Sequence, residues 1–359
     1  MILTKFARAT ATSTVSLPRL RCVRTQVTWA TQDGWDDPRG PLGLERPSPK
    51  LAPLTPTSPE WLRNLHRDGW ALVKGVVPKE KALEYAQKGE DWLEGFNMGY
   101  KRDDPSTWKS TNIPKHRYGG LFDHFSFAHA QFVWDCKSEP KVRDIFAKIW
   151  GTDELTVSFD GGTLAFPTPD EPNHGKAPWP HSDQSAYRPW PHCIQGLLNL
   201  LSNGPKDGGL AVMTGTAPLF EQYFKEHPEP EGGWIKRDLF DWTDETLQWF
   251  KDRGCEWVKP EMEPGDFILW DSRAAHYGAA PESNNKRMAV YTCYKPIEQL
   301  SELQRERKVE AFKRGYMTSH DPIDFVLKED QMAEWNVLHP YGPPAVPKET
   351  QQAIGLIPY

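Results

Sequence analysis

Between Leu155 and Pro296 the chain is divided into short runs rich in β-branched, aromatic and aliphatic residues, separated by clusters of Pro, Gly, Asn and Asp. The clearest runs are 155–159, 193–201, 209–213, 267–270 and 288–294. Runs of this length bounded by turn formers predict β-strands. Helical periodicity is nearly absent between them, which favours an antiparallel jelly roll over βαβ units. The expected fold class is therefore mainly β with flanking helices. One long segment, 220–254, interrupts the pattern with Pro228, Pro230, Gly232, Gly233 and a Trp-rich helical stretch over 242–251. It reads as a surface excursion or lid.

Within this strand pattern, His181 and Asp183 follow Pro178-Trp179-Pro180, and His276 follows the strand-like Phe267-Ile268-Leu269-Trp270. Side chains two apart on a strand share a face, so His181 and Asp183 can grip one ion while Ser182 faces away. A His-x-Asp triplet alone is weak evidence in a chain with 11 histidines. His66-Arg67-Asp68 has the same form but lies in a helical pattern ahead of Gly69, and reads as solvated surface. What distinguishes 181–183 is the downstream Pro264-Gly265-Asp266 turn, which launches the strand leading to His276. Two imidazoles and one carboxylate on one face of an octahedron leave room for a bidentate co-substrate and dioxygen. The set points to a non-haem Fe(II) oxygenase with His181, Asp183 and His276 as metal ligands. Zinc accepts the same ligands, so a zinc-dependent hydrolase is one alternative, and a non-catalytic jelly-roll binding protein is another.

Residues 277–286 are rich in Gly, Ala, Pro, Ser and Asn and read as a hairpin loop joining 267–276 to 287–294. Symmetric pairing would set His276 opposite Arg287, with the guanidinium on the metal's face of the sheet. A planar, permanently charged fork suits a bidentate carboxylate, so Arg287 is assigned to the far carboxylate of 2-oxoglutarate, against the plainer reading of a surface arginine paired with a glutamate. Gln195 and Asn199 share a strand face and are candidates to bond the keto acid or orient a ligand, or are ordinary strand amides. Arg273 is a candidate for an anionic substrate, although pairing with Asp271 is the better expectation. Trp179 and Tyr187 flank the metal motif and are further substrate candidates, as are Arg188, Trp190 and His192. Most of the 16 tryptophans must nevertheless be packing. His124, His129 and His174 have no ligand spacing and read as structural.

At these residues the chain resembles the phytanoyl-CoA dioxygenase family of Fe(II)/2-oxoglutarate oxygenases. The likeness runs from about residue 60 to 297. It is carried by Asp68-Gly69-Trp70-Ala71-Leu72-Val73-Lys74-Gly75-Val76-Val77, His181-Ser182-Asp183, Asp207-Gly208-Gly209-Leu210-Ala211-Val212, Gly215-Thr216, His276 and Arg287. The resemblance implies a double-stranded β-helix, a cupin-like jelly roll whose open end holds iron, with the three ligands and Arg287 carried over by position. It implies oxidative decarboxylation of 2-oxoglutarate to succinate and CO2, coupled most simply to hydroxylation of a small molecule by dioxygen. Phytanoyl-CoA itself is not implied. Halogenases of the family lack the carboxylate ligand, so Asp183 argues against halogenation.

Composition narrows the setting. A net charge of −6 and a pI near 6.0 give no reason to expect a nucleic-acid partner. No run of apolar residues is long enough for a membrane span. Five cysteines without a Cys-x-x-Cys read as free thiols in a reducing compartment. Residues 1–32 hold Lys5, Arg8, Arg19, Arg21 and Arg24, many Ser and Thr and no acid, the composition of a mitochondrial transit peptide. The expected location is the mitochondrial matrix, which tilts the substrate toward a primary metabolite. Peroxisome or cytoplasm is the alternative, because residues 19–27 approach a peroxisomal nonapeptide and depart from it at Arg24 and Val27. Residues 33–58 are expected to be a Pro-rich linker, 59–297 the oxygenase domain with N-terminal helices, and 298–359 a C-terminal helix and Pro-rich tail. That helix is expected either to cover the jelly roll or to make a homodimer contact.

Overall fold

The computed structural model describes residues 49–117, 120–167, 178–235, 237–327 and 342–359. The presequence, residues 33–48 of the linker and His174 lie outside the described residues. The helices are α1 (Glu60–Asp68), α2 (Lys79–Glu94), α3 (Gln131–Lys137), α4 (Pro140–Trp150), α5 (Thr216–Glu226), α6 (Asp244–Lys251), α7 (Glu302–Arg314) and α8 (Lys348–Ile354). The early strands are β1 (Trp70–Val73), β2 (Leu121–Phe122), β3 (Leu155–Val157), β4 (Gly162–Ala165), β5 (His181–Ser182), β6 (Ile194–Asn199) and β7 (Gly209–Met213). The later ones are β8 (Phe240–Asp241), β9 (Trp257–Val258), β10 (Phe267–Asp271), β11 (His276–Ala279), β12 (Arg287–Thr292) and β13 (Tyr294–Pro296).

The strands form a large antiparallel sheet, β1-β10-β6-β12-β4-β2, facing a smaller one, β8-β5-β11-β7-β9, which together make the jelly roll. Alternation along the large sheet explains the sandwich. Ile194, Leu198, Phe267, Leu269, Met288 and Val290 point outward and merge with the helices in the main core. Leu197, Ile268, Trp270, Ala289 and Tyr291 point inward, where they meet Leu210 of the small sheet. The Pro264-Gly265-Asp266 turn is tight: Gly265 has φ +92°, and an added Cβ would lie 1.9 Å from the Val77 carbonyl oxygen. Only glycine fits there. Asp266 braces the turn by accepting from the Gly75 and Glu263 amides at 2.8 and 2.9 Å.

Two expectations are corrected here. The 277–286 loop does not close a hairpin between neighbouring strands: His276 pairs with His181 and Val212, whereas Arg287 pairs with Ala165. The Ser272–Ala275 turn carries the chain from one sheet to the other, so sequence-adjacent strands face each other across the sandwich rather than along a ladder. The 220–254 segment is no loose excursion. Phe220, Tyr223, Phe224, Trp242 and Phe250 form a second apolar core, and β8 pairs with β5, His181 opposite Asp241. The C-terminal tail also belongs to the body of the fold. Ala353 and Ile354 are fully buried in the main core, and the Leu155 amide donates to the Tyr359 hydroxyl at 2.9 Å. His66-Arg67-Asp68 ends α1, as the helical pattern predicts.

Candidate metal centre

β5 is two residues long, yet its three neighbours on the chain divide cleanly between site and scaffold. Ser182 turns away and is fully buried, donating to the Arg273 carbonyl at 2.8 Å and accepting from the Trp242 indole N–H at 2.8 Å. His181 and Asp183 turn the other way. Their ligand atoms and that of His276 all lie within 4.8 Å of one another, with His276 Nε2 at 3.3 Å and His181 Nε2 at 3.7 Å from the Asp183 carboxylate. Each imidazole uses Nδ1 to meet a carbonyl two residues before it, Trp179 O at 2.9 Å and Ala274 O at 3.0 Å. A carbonyl accepts only, so Nδ1 carries the proton and Nε2 presents its lone pair to the shared space.

The electrostatics suit a cation. Burial and the neighbouring His276 push the His181 imidazole below its ordinary value, against the pull of Asp183. Burial works to raise Asp183, but the adjoining imidazoles of His276 and His181, with His320 nearby, hold it well below the usual carboxylate range. A neutral imidazole and an ionised carboxylate are the states that bind a metal. Gln195 donates from Nε2 to Asp183 Oδ2 at 2.9 Å, fixing the carboxylate from inside the large sheet.

Arg287 stands on the inward face of β12 with Ala289 and Tyr291, half-buried, and its buried Nε has no hydrogen-bond partner among the described residues. An unpartnered guanidinium facing an apolar interior fits a carboxylate that arrives with a ligand. The donor set therefore fits Fe(II), and the free fork fits an anionic co-substrate.

The other candidates separate. Asn199 spends its amide nitrogen on the Leu201 and Glu263 carbonyls, and its remaining Oδ1 is an acceptor, mismatched to a carboxylate. Its place in the co-substrate site is withdrawn. Arg273 is buried and paired with Asp271 at 2.8 and 3.0 Å, with a further bond to Pro189 O, which removes it as a free cation for substrate. Trp179 is 51% exposed at the rim, stacked on the His181 ring at 4.2 Å, its indole N–H held by Asp241. Tyr187 bonds Glu229 and packs on Trp234, away from the ligands and against the insert. His129 bonds the Tyr316 carbonyl and His124 bonds Asp123, consistent with structural roles.

Sequence reasoning missed a second cluster. His192, Asp321 and Asp324 also converge within metal-binding range. Lys295 Nζ already lies 2.8 Å from Asp321, and Arg188 Nη1 is 3.1 Å from Asp324 and 3.0 Å from Asp238. Three carboxylates thus face Arg188 and Lys295, and Asp321 and Asp324 raise the proton affinity of His192, so the protein's own cations meet the carboxylates. Its only trace in the sequence is the Asp321-x-x-Asp324 spacing, whose partners lie far away along the chain.

Comparison with known proteins agrees with the fold and gives the family. The sequence model of the family described as phytanoyl-CoA dioxygenase (PhyH) matches residues 65–289. Ava biosynthesis cluster protein O of Aspergillus versicolor is 35% identical over 273 residues, 75% of this chain and 88% of that protein. Among solved structures, the hypothetical protein JW0805 of Escherichia coli superposes with a TM-score of 0.52 at 16% identity, covering 83% of this chain and 82% of the other. GlcNAc-inducible gene 2 product GIG2 of Candida albicans reaches 0.50 at 12% identity, covering 83% and 76%. At such identities the structural likeness bears on the fold alone. The family match and the Aspergillus relative carry the assignment further: the chain belongs to the phytanoyl-CoA dioxygenase family, as an oxidoreductase of the Fe(II)/2-oxoglutarate type.

Proposed function

We propose that the chain hydroxylates a small-molecule metabolite, consuming dioxygen and 2-oxoglutarate and releasing succinate and CO2. The observation that carries this reading is the joint arrangement of His181, Asp183 and His276 around one point, with Arg287, whose buried Nε has no partner among the described residues, on the inward face of the large sheet. Bound Fe(II) supplies the one-electron chemistry that dioxygen requires. The chain's own groups do the rest. His181 and His276 offer neutral Nε2 atoms, each fixed in its tautomer by a backbone carbonyl. Asp183 supplies the negative charge, aimed by Gln195. Arg287 takes the far carboxylate of 2-oxoglutarate as a two-pronged donor. Leu197, Ile268, Trp270 and Tyr291 line the interior and exclude water, strengthening that ion pair. Trp179 offers an exposed apolar face at the rim, the natural contact for substrate entering over His181. The biosynthesis-cluster name of the Aspergillus relative supports a biosynthetic small molecule as substrate. The basic, acid-free residues 1–32 support delivery to the mitochondrial matrix, which imaging of the full chain fused to a fluorescent protein would test.

The deciding experiment is an anaerobic titration of the metal-free protein with Fe(II) and then 2-oxoglutarate, followed by a metabolite panel scored for succinate release. A metal-to-ligand charge-transfer band in wild type, absent in His181→Ala and His276→Ala, is expected, together with a metabolite that stimulates succinate formation. A protein that binds Zn(II) but develops no band with Fe(II) and 2-oxoglutarate would overturn the proposal in favour of a hydrolase.

A further inference from the structure

We infer that the buried ion cluster around Arg188 is a clamp that positions the metal ligands, making the C-terminal segment 318–327 a working part of the metal centre. This segment lies beyond the part of the chain that matches the family. The inference rests on the oxygenase reading of the site, and its test separates the two.

The contacts form a continuous path. Asp183 is followed by Gln184, fully buried, whose Nε2 donates to the carbonyls of Arg188 and Trp190, the latter at 2.8 Å. Gln184 Oε1 accepts from Ser272 Oγ at 2.9 Å. Ser272 opens the turn that delivers His276. One glutamine thus joins the loop after the first two ligands to the turn before the third. That loop is in turn held by its charges. Arg188 reaches Asp238 and Asp324, and the Ser185 amide donates to Asp238 at 3.1 Å. His192 Nε2 lies 3.1 Å from Asp321 and 3.2 Å from Asp324, and Lys295 of β13 meets Asp321. Asp321 also accepts from the amides of Ile323 and Asp324 at 2.7 and 2.8 Å, so its carboxylate shapes the turn that bears its partner. Gln304 and Lys308 of α7 fasten the same turn through the Ile323 and Pro322 carbonyls.

The energetics explain why such a device is more than glue. Taking six ionisable groups out of water costs several kcal/mol per ion, and apolar residues would stabilise the region as well or better. Opposing charges oblige each partner to hold a fixed place, which packed methyl groups do not. Burial works against the charges of Asp321, Asp324, Lys295 and Arg188, yet the mutual fields leave the two carboxylates below their ordinary values and the two cations above theirs. The ion pairs of Arg188 with Asp238 and Asp324, and of Lys295 with Asp321, tie the loop, β13 and the C-terminal turn together. His320, next to Asp321, is near enough for its charge to act on Asp183.

The test is Fe(II) affinity, read from the anaerobic charge-transfer band at saturating 2-oxoglutarate, for Gln184→Ala, Arg188→Met, Arg188→Lys and Asp324→Asn. Thermal unfolding identifies the variants that are folded at the assay temperature. Disturbing groups that orient metal ligands typically costs 10–100-fold in metal affinity. Gln184→Ala removes no charge and serves if the charge variants fail to fold. The expected result is a loss of about tenfold or more in Fe(II) affinity for Gln184→Ala and Arg188→Met, with partial recovery in Arg188→Lys. Affinity for 2-oxoglutarate at saturating Fe(II) should hold. Folded Gln184→Ala and Arg188→Met proteins with Fe(II) affinity within twofold of wild type would overturn the clamp and leave the oxygenase standing. Absence of the band in wild type itself would instead remove the oxygenase reading.

Discussion

Replacing Arg287 by Ala is expected to raise the KM for 2-oxoglutarate while leaving kcat and stability nearly intact. The buried Nε has no acceptor among the described residues, so removing the side chain breaks no hydrogen bond to Nε among them. The loss therefore falls on the ligand. Two charge-assisted hydrogen bonds are worth about 1.5–3 kcal/mol each, and water can recover part of that because the residue is only half-buried. A net loss of about 3 kcal/mol corresponds to an increase on the order of 100-fold in KM. Arg287→Lys keeps the charge but not the fork, and should fall between, roughly tenfold above wild type. The assay is succinate production against 2-oxoglutarate concentration at saturating Fe(II) and substrate, with thermal unfolding alongside. A KM within threefold of wild type in Arg287→Ala would refute the argument, as would a collapse in unfolding temperature, which would mean that the side chain has a structural partner.

Gln195→Leu removes the 2.9 Å bond to Asp183 and leaves the carboxylate free to rotate, so Fe(II) should bind about 10–100-fold more weakly with little change in 2-oxoglutarate affinity; unchanged Fe(II) binding would remove Gln195 from the site. His192 gives a pH signature. Burial and Lys295 lower its affinity for a proton, Asp321 and Asp324 more than offset them, and the folded value stands above the ordinary 6.5. Its contribution to stability is then fully present below about pH 6.5 and fades as pH rises through the folded value, so urea midpoints should fall as pH rises above about 6.5. His192→Gln should flatten that slope, and an unaltered slope in the variant would mean that His192 is neutral in the fold.

Much of this site was legible because its grammar is local. An i, i+2 pair on a strand must share a face, and a Pro-Gly-Asp turn must start a strand, so His181, Asp183 and His276 could be picked from the chain alone. Sheet membership could not. The 277–286 loop has the composition of a hairpin, and nothing in Ser272–Ala275 announces that the chain changes sheets there. Arg287 still faces inward because parity along β12 puts it with Ala289 and Tyr291, whichever strand lies alongside. The 220–254 segment departs from its sequence pattern for a related reason. Its prolines and glycines advertise turns, whereas its aromatic residues, which advertise a core, are spaced by tertiary folding and not by a regular period. The ion cluster left almost no mark, since attraction between Arg188 and Asp324 depends on a meeting that no local pattern encodes.

A two-residue strand cannot by its own ladder fix both His181 and the Asp183 that follows it, so the precision a metal site needs has to come from elsewhere. Three side chains of the segment 182–184 show from where. Ser182 is held by Trp242 of the insert, Asp183 by Gln195 of the large sheet, and Gln184 by Ser272 and the carbonyls of the loop that Arg188 anchors. Each support comes from a different part of the chain. The family motif therefore specifies which atoms meet the metal, while the insert and the C-terminal segment specify how firmly they do so. A relative that keeps His-x-Asp and the later His but replaces these supports would share the chemistry and differ in metal affinity and rim shape, which is where members of one oxygenase family can diverge without altering a ligand.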